Sequence, residues 1–484
     1  MTKAGSKRRI WLAWGVLGGF FSGLAALLLY YGALFAPEVE AIDMPSLPLV
    51  AGLVAAGLMF LLALPLIRKS IAAGLGGDCR LLWLILGFGL VFRLILFAST
   101  PAFETDWNRY LWDGGVAAHG YNPYAASPDD AQGEPYYYSL QPLAQQSGVV
   151  IERVNHSHLK TVYPPVAEAA FALAHIFRPW SLEAWRALLL GAEVVTLGLL
   201  LVLLKEAGRA PIWVALYWWN PIPVKEIVNS AHMEAITTPF VLGALLLTLR
   251  QRHLTAAAAL GLAIGTKLWP VMLVPLVLRP LLSSPRRLVA AIAIIAGLTA
   301  LWVWPIIAGG VDETSGFAAF ATKWRSNSAL FPMLESGAKT LLAGLDLAAT
   351  TPGVIMRAIL AGCVGLIALW ISKRETADAQ DLMTRAGIVT AAIYLLSPAQ
   401  FPWYAIWILP FVCFQPRLSL LAVTALVPIY YASFYFKAHD THDVFRNWVV
   451  WGIWVPIWAL LAAEACGWNS RNANSEAALD GRHA

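Results

Sequence analysis

Long apolar runs alternate with short polar breaks along this chain. Read coarsely, they fall at 10–35, 48–67, 80–99, 183–204, 210–221, 235–250, 254–266, 268–280, 288–308, 353–372, 382–397, 403–416, 418–435 and 447–465. An apolar run of about 18 or more residues is long enough to cross a bilayer as a helix. The pattern predicts an all-α polytopic membrane protein, with roughly 12–14 transmembrane helices and further helices in its exoplasmic loops. The runs at 210–221, 254–266 and 268–280 are short for a full crossing.

Composition agrees with this reading. Of 484 residues, 59% are hydrophobic and only 13% are charged, too few charges to cover the surface of a soluble chain of this length. The net charge of +5 matters less than where the positives sit. Basic residues close apolar runs at Arg68-Lys69, Lys205 with Arg209, Arg250 with Arg252, Arg286-Arg287 and Lys373-Arg374. The positive-inside rule makes these turns cytoplasmic. The first run follows Lys3, Lys7, Arg8 and Arg9 and reads as an uncleaved anchor with a cytoplasmic N-terminus. No basic patch lies outside the short turns, so nucleic-acid binding has no support. Cys79, Cys363, Cys413 and Cys466 are scattered and read as small hydrophobes, not metal ligands.

With this topology the long polar segments, 101–180 and 309–352, lie on the exoplasmic side with the shorter 437–446. Loops this long are uncommon without a task. Within the first, Tyr163-Pro164-Pro165 opens an apolar stretch ending at Phe177, which predicts a helix lying at the interface or re-entering it. The tail at 467–484 is polar and reads as disordered and cytoplasmic.

The densest chemistry is "ETDWNRYLWDGGVAAHGYNPY", Glu104 to Tyr124. Thr105 is placed to cap a helix starting at Asp106, and Gly120 with Asn122-Pro123 ends it. Helical spacing puts Asp106, Arg109, Tyr110 and Asp113 on one face, with Trp107 and Leu111 on a neighbouring face suited to the membrane interface. A self-paired Asp–Arg–Asp face is the plain alternative. It stabilises a helix by only a few tenths of a kcal/mol per pair, about 0.2–0.5 kcal/mol.

"DWNRYLWDGGVAAHGYNPY" resembles the first-loop signature of bacterial polytopic hexosyl- and mannosyltransferases of the GT-C superfamily, glycosyltransferase family 87 and its mannosyltransferase relatives in particular. "VYPPVAE" (162–168), "WNPIPVKEIVNSAHMEA" (219–235), "GLAIGTKLWP" (261–270) and "SPAQFPWYAIWILP" (397–410) follow in the same order. The resemblance covers about 80–465, leaving the transmembrane helices of 1–79 outside a GT-C-like catalytic domain at 80–466. Relatives often carry His before the Pro-Trp-Tyr, where this chain has Phe401. The resemblance implies transfer of a hexose, mannose foremost, from a polyprenyl phosphate to an exoplasmic hydroxyl of a lipid or glycan acceptor during envelope synthesis. It implies a plasma-membrane enzyme whose catalytic carboxylate matches Asp106, with Asp113 and Glu104 in reserve.

Such transfer needs a carboxylate to take the acceptor proton and cations to hold the departing phosphate. Arg109, Lys160, Arg186, Lys225, His232 and Lys267 are the candidates for the phosphate, with Lys323 and Arg325 behind them. The plain alternative for each is a snorkelling interfacial base. Lys267 stands out, since a lysine midway through an apolar run costs roughly 3 kcal/mol unless two half-length helices meet there. Tyr110, Trp112, Asn122, Tyr124, Tyr163, Asn229, Glu234, Trp403 and Tyr404 are the candidates for sugar and acceptor contacts. The alternative for their aromatics is the interfacial belt. Arg93 and Glu193 lie within spans; Arg93 is expected to snorkel outward or touch lipid phosphate, and Glu193 needs a partner. No cofactor or metal site is compelled, although a divalent cation fits some superfamily members. The rival class is a lipid-sugar flippase or secondary transporter, against which stand the single occurrence of each motif and the long one-sided loop.

Overall fold

The computed structural model describes residues 3–133, 139–344 and 351–467, so nearly all of the expected tail lies outside the described residues. The described chain is helical, with no β-strand among the described residues. The principal helices are α1 (Lys3–Tyr30), α2 (Ser46–Ala72), α3 (Cys79–Phe97), α4 (Asp106–Ala118), α5 (Pro165–Phe177), α6 (Leu182–Glu206), α7 (Glu234–Leu249), α8 (His253–Thr266), α9 (Pro285–Ala308), α10 (Thr351–Ile371), α11 (Ala379–Leu396), α12 (Leu418–Ala438) and α13 (His442–Ala465). Eight of them, α1, α2, α3, α6, α9, α10, α12 and α13, are long and apolar enough to cross a membrane. The chain is therefore a multi-pass membrane protein. The shorter apolar runs appear as shorter helices, including α7, α8 and a broken segment over Trp269–Leu281.

Capping explains several helix starts. Asp78 accepts from the N–H groups of Arg80 and Leu81 at 2.8 and 3.2 Å, and Ser181 accepts from Ala184 N–H, as side chains at the N-cap do. α4 starts at Asp106 as its spacing predicts, but Thr105 makes no side-chain cap bond. α4 packs closely on α5 because Gly114 and Gly115 have no side chains. A Cβ on Gly114 would stand 2.5 Å from the Phe171 carbonyl oxygen, well inside contact distance. Leu111, expected at the interface, is instead buried. α5 ends on exposed Ile176 and Phe177, in keeping with a short helix that does not cross.

The charged pair inside the spans is structural. Arg93 does not snorkel: it is wholly buried and its guanidinium meets Glu193 at 2.6 Å. It also donates to the carbonyls of Gly89 and Trp218 and lies 3.5 Å over the Trp218 ring. Tyr217 donates its hydroxyl to the other Glu193 oxygen. A buried ion pair persists in a low-dielectric interior when its remaining hydrogen bonds are filled in this way.

Candidate active site

α4, the loop at 154–160, the segment 267–269, the second polar segment and the Phe401–Trp407 turn enclose a cavity of about 820 Å³. Several backbone features place its walls. Phe103, His156 and Ala231 all adopt left-handed φ, at 66°, 53° and 59°, a conformation that is costly for residues with a side chain and is held by its surroundings. Ala231 follows a π-helical turn over Val224–Asn229 and delivers His232 beneath the cavity. The second polar segment is stitched down: Ser326 N–H donates to Pro398 O at 3.2 Å, and Gln400 N–H to Ser326 O at 2.9 Å. Lys160 ties the two loops together through Asp312 at 2.6 Å and the Gly309 carbonyl at 3.2 Å.

Asp106 lines the cavity with 24% of its side chain exposed. One carboxylate oxygen accepts from Asn155 Nδ2 at 2.8 Å. The other lies 3.8 Å from His232 Nδ1, whose Nε2 lies 3.7 Å from Glu226 Oε2. Burial, with Glu234 adding repulsion against the opposing pull of Lys267 and Arg109, lifts the Asp106 carboxyl to about 6. Its fractional exposure keeps some water at the group, which tempers that lift. His232 is fully buried, stacked 4.0 Å from the Trp403 ring. Burial, with Lys225 and Lys267 nearby, pushes its imidazole well down from the ordinary value, so it is neutral at pH 7. Neither of its ring nitrogens has a hydrogen-bond partner among the described residues.

Two lysines flank this centre. Lys267 sits in an extended break directly after α8, the meeting of half-length helices that its position in the sequence demanded. It pairs with Glu234 and lies 4.4 Å over the Tyr404 ring. Lys225 lies on the other side, 3.4 Å from Glu226 and bonded to the Tyr431 hydroxyl. Tyr431 also reaches both Glu226 oxygens at 2.8 and 2.9 Å. Glu104 lines the cavity with one carboxylate oxygen unpartnered. Burial, against the pull of Lys225, drives its pKa well above the usual carboxylate range.

The structure thus brings Glu104, Asp106, Arg109, Tyr110, Lys160, Tyr163, Lys267, Trp403 and Tyr404 to one cavity, along with Lys323 and Arg325. Lys225, His232 and Glu234 stand directly behind it. Other candidates lie elsewhere. Asp113 is buried 3.7 Å from Arg109 Nη1, its carboxyl raised to about 6 by burial against the pull of that guanidinium. Arg109 spends its Nη2 on the carbonyls of His156 and Leu159, so the self-paired face exists only between Arg109 and Asp113. Trp112 is buried against Trp180. Asn122 donates to Pro305 O, and Tyr124 donates to Tyr163 O, which positions Tyr163. Arg186 donates to the carbonyls of Phe97, Ser99 and Asn229, and Asn229 in turn bonds Ser99, Thr100 and Ala102. Those two pin the chain between α3 and α4 and do not line the cavity.

Asn155, His156, His158 and Lys437, none of them a candidate from the sequence, also line the cavity or hold Asp106. The run Asn155-His156-Ser157-His158 just before Lys160 was the available signal. Among the described residues no three His, Cys, Asp or Glu side chains converge as a metal-ligand set.

Fold and site define a class: a polytopic helical membrane protein with a carboxylate and several bases converging on one cavity. Residues 161–398 match the family model of Glycosyltransferase family 87, and the chain is a membrane glycosyltransferase resembling that family. No curated protein and no solved structure matches the chain.

Proposed function

We propose that this cavity moves a hexose, mannose foremost, from a polyprenyl phosphate to a hydroxyl of a lipid or glycan acceptor on the exoplasmic face of the plasma membrane. The observation that carries the reading is Asp106. It is a cavity-lining carboxylate whose pKa is lifted to about 6, in a cavity that Lys160, Lys267, Lys323 and Arg325 also line. A base poised near neutral pH removes a proton most effectively. Cations at the cavity wall stabilise the charge gathering on the phosphate as it departs.

In the reaction, Asp106 takes the acceptor hydroxyl proton. The acceptor oxygen bonds to the anomeric carbon while the bond from that carbon to the phosphate oxygen breaks, its electron pair leaving with the phosphate. Asn155 holds the base in place. Lys267, already paired with Glu234, and Lys160 face the phosphate, with Arg109 supporting the wall. Trp403, Tyr404 and Tyr163 offer aromatic faces to sugar rings.

The test is transfer by the full chain in liposomes from polyprenyl-phosphate mannose, glucose, galactose and arabinose, with envelope lipid extract as acceptor and a nucleotide-sugar control. Transfer from the mannose lipid and none from the nucleotide sugar is expected. Transfer from the nucleotide sugar alone would overturn the donor assignment.

A further inference from the structure

Glu104, Glu226 and Glu234 are all buried near Asp106, and they do not share cations evenly. Glu226 has Lys225 at 3.4 Å and the Tyr431 hydroxyl within reach of both oxygens. Glu234 has Lys267. Glu104 has neither kind of partner. Among the described residues its carboxyl group makes no ion pair and no hydrogen bond, although only 7% of the residue is exposed. Its Oε1 is enclosed without a partner. The residue lines the reaction cavity, and Oε2 is the oxygen left open to it.

A carboxyl group taken out of water with no cation beside it keeps its proton and so avoids the charge. Burial disfavours the charged form of Glu104 most. Lys225 opposes that effect, and Asp106 and Glu226 add repulsion against the weaker pull of Lys437. At neutral pH Glu104 is therefore a carboxylic acid, with one O–H to donate and a carbonyl oxygen to accept.

Its position narrows what it can meet. Lys267, Glu234 and Arg109 act on Asp106, whereas Lys225, Glu226 and Lys437 act on Glu104. Glu104 thus belongs to the Lys225 side of Asp106, and the phosphate, placed at Lys267, to the other. A phosphate only accepts hydrogen bonds and is drawn to cations. A hydroxyl both donates and accepts, as a neutral carboxylic acid does. Tyr430 lies close enough to feel the Glu104 carboxyl, and Phe103 stacks on Phe434 at 4.7 Å; all three rings line the same cavity. Such faces suit the C–H side of a sugar ring, with the acid as the polar group that orients it.

We propose that Glu104, as an uncharged acid, holds a second hydroxyl of the acceptor beside the one that Asp106 deprotonates, and so selects a sugar or cyclitol over a simple alcohol. This rests on the transfer reaction of the proposed function and deepens it by naming the acceptor class.

Infrared difference spectra of the full chain in nanodiscs, wild type against Glu104→Gln at pH 7, test the protonation and the contact together. A protonated-carboxyl C=O stretch is expected in the wild type and not in Glu104→Gln. Octyl mannoside should shift it, and at least one monodeoxy octyl mannoside should not. No such band, a band unmoved by octyl mannoside, or one moved equally by octyl mannoside and every monodeoxy analogue would overturn the proposal. Transfer from polyprenyl-phosphate mannose to envelope lipid extract gives the second reading. Glu104→Gln keeps a donor and an acceptor and should stay within about threefold of the wild-type rate. Glu104→Leu, or Glu104→Met if that variant does not fold, should raise the acceptor KM by about 10- to 10²-fold with the donor KM unchanged. Equal losses in the Gln and Leu variants, or a loss carried by the donor KM, would overturn it. The infrared readings need no turnover. A band shifted by octyl mannoside without transfer from any prenyl-phosphate sugar would overturn the proposed function alone, whereas transfer without the band would overturn the role of Glu104 alone.

Discussion

Two of the buried charge clusters in this bundle are built differently. In the spans, Arg93 and Glu193 face each other at 2.6 Å with hydrogen bonds filled by Tyr217 and two carbonyls. At the cavity, Asp106, His232 and Glu226 stand 3.7–3.8 Å apart, and His232, Glu104 and Glu234 keep polar atoms without partners among the described residues. Leaving buried polar atoms unpaired costs about 1–3 kcal/mol each. The unpaired polar atoms at the cavity can take partners from a bound ligand, whereas the Arg93–Glu193 pair has none left to offer.

The comparison breaks most sharply at the paired cluster. Arg93→Met alone leaves Glu193 uncompensated and should destabilise the fold by about 3–5 kcal/mol. The double substitution Arg93→Met with Glu193→Met should recover most of that loss, since a buried pair exchanged for apolar side chains is close to neutral. Thermal unfolding in detergent reads both. The same design at the cavity should behave otherwise. Lys267→Met should lower transfer by about 10²-fold through lost stabilisation of phosphate charge. Adding Glu234→Met should restore stability but not the rate, and a recovered rate would make Lys267 a structural residue like Arg93.

Smaller effects sharpen the same contrast. A carboxyl raised to about 6 holds its proton below that pH. The base form is therefore present above pH 6 and lost as pH falls through it, and kcat/KM should decline tenfold per pH unit on the acid side. A profile flat to pH 4.5 would remove Asp106 from the rate equation. Asn155→Ala deletes a hydrogen bond to the ionised carboxylate, so the acid limb should move to higher pH with less than about a tenfold loss of rate at pH 8.

Much of this arrangement was legible in the residues themselves. The helical face of Asp106, Arg109 and Tyr110 followed from spacing, and the break at Lys267 from the cost of a lysine in an apolar run. The Arg93–Glu193 pair was not legible, because 100 residues separate its members and hydropathy gives no register between helices. Arg186 and Asn229 were indistinguishable from site residues for a related reason: a buried polar side chain that ties loop carbonyls together has the same composition signal as one that binds a ligand. The loop at 154–160 has no periodicity to mark it, and only the fold carries Asn155 to Asp106.

The central claim is that Asp106, and not its neighbour on the same helix, takes the acceptor proton. The direct measurement is the initial rate of sugar transfer by Asp106→Asn and Asp113→Asn, each beside the wild type with its unfolding temperature. Asp106→Asn should lose about 10³-fold in kcat or more at unchanged stability. Asp113→Asn, at a buried residue that pairs with Arg109 and does not line the cavity, should lose about tenfold or less. Equal losses, or a larger loss in Asp113→Asn with both proteins folded, would contradict the account.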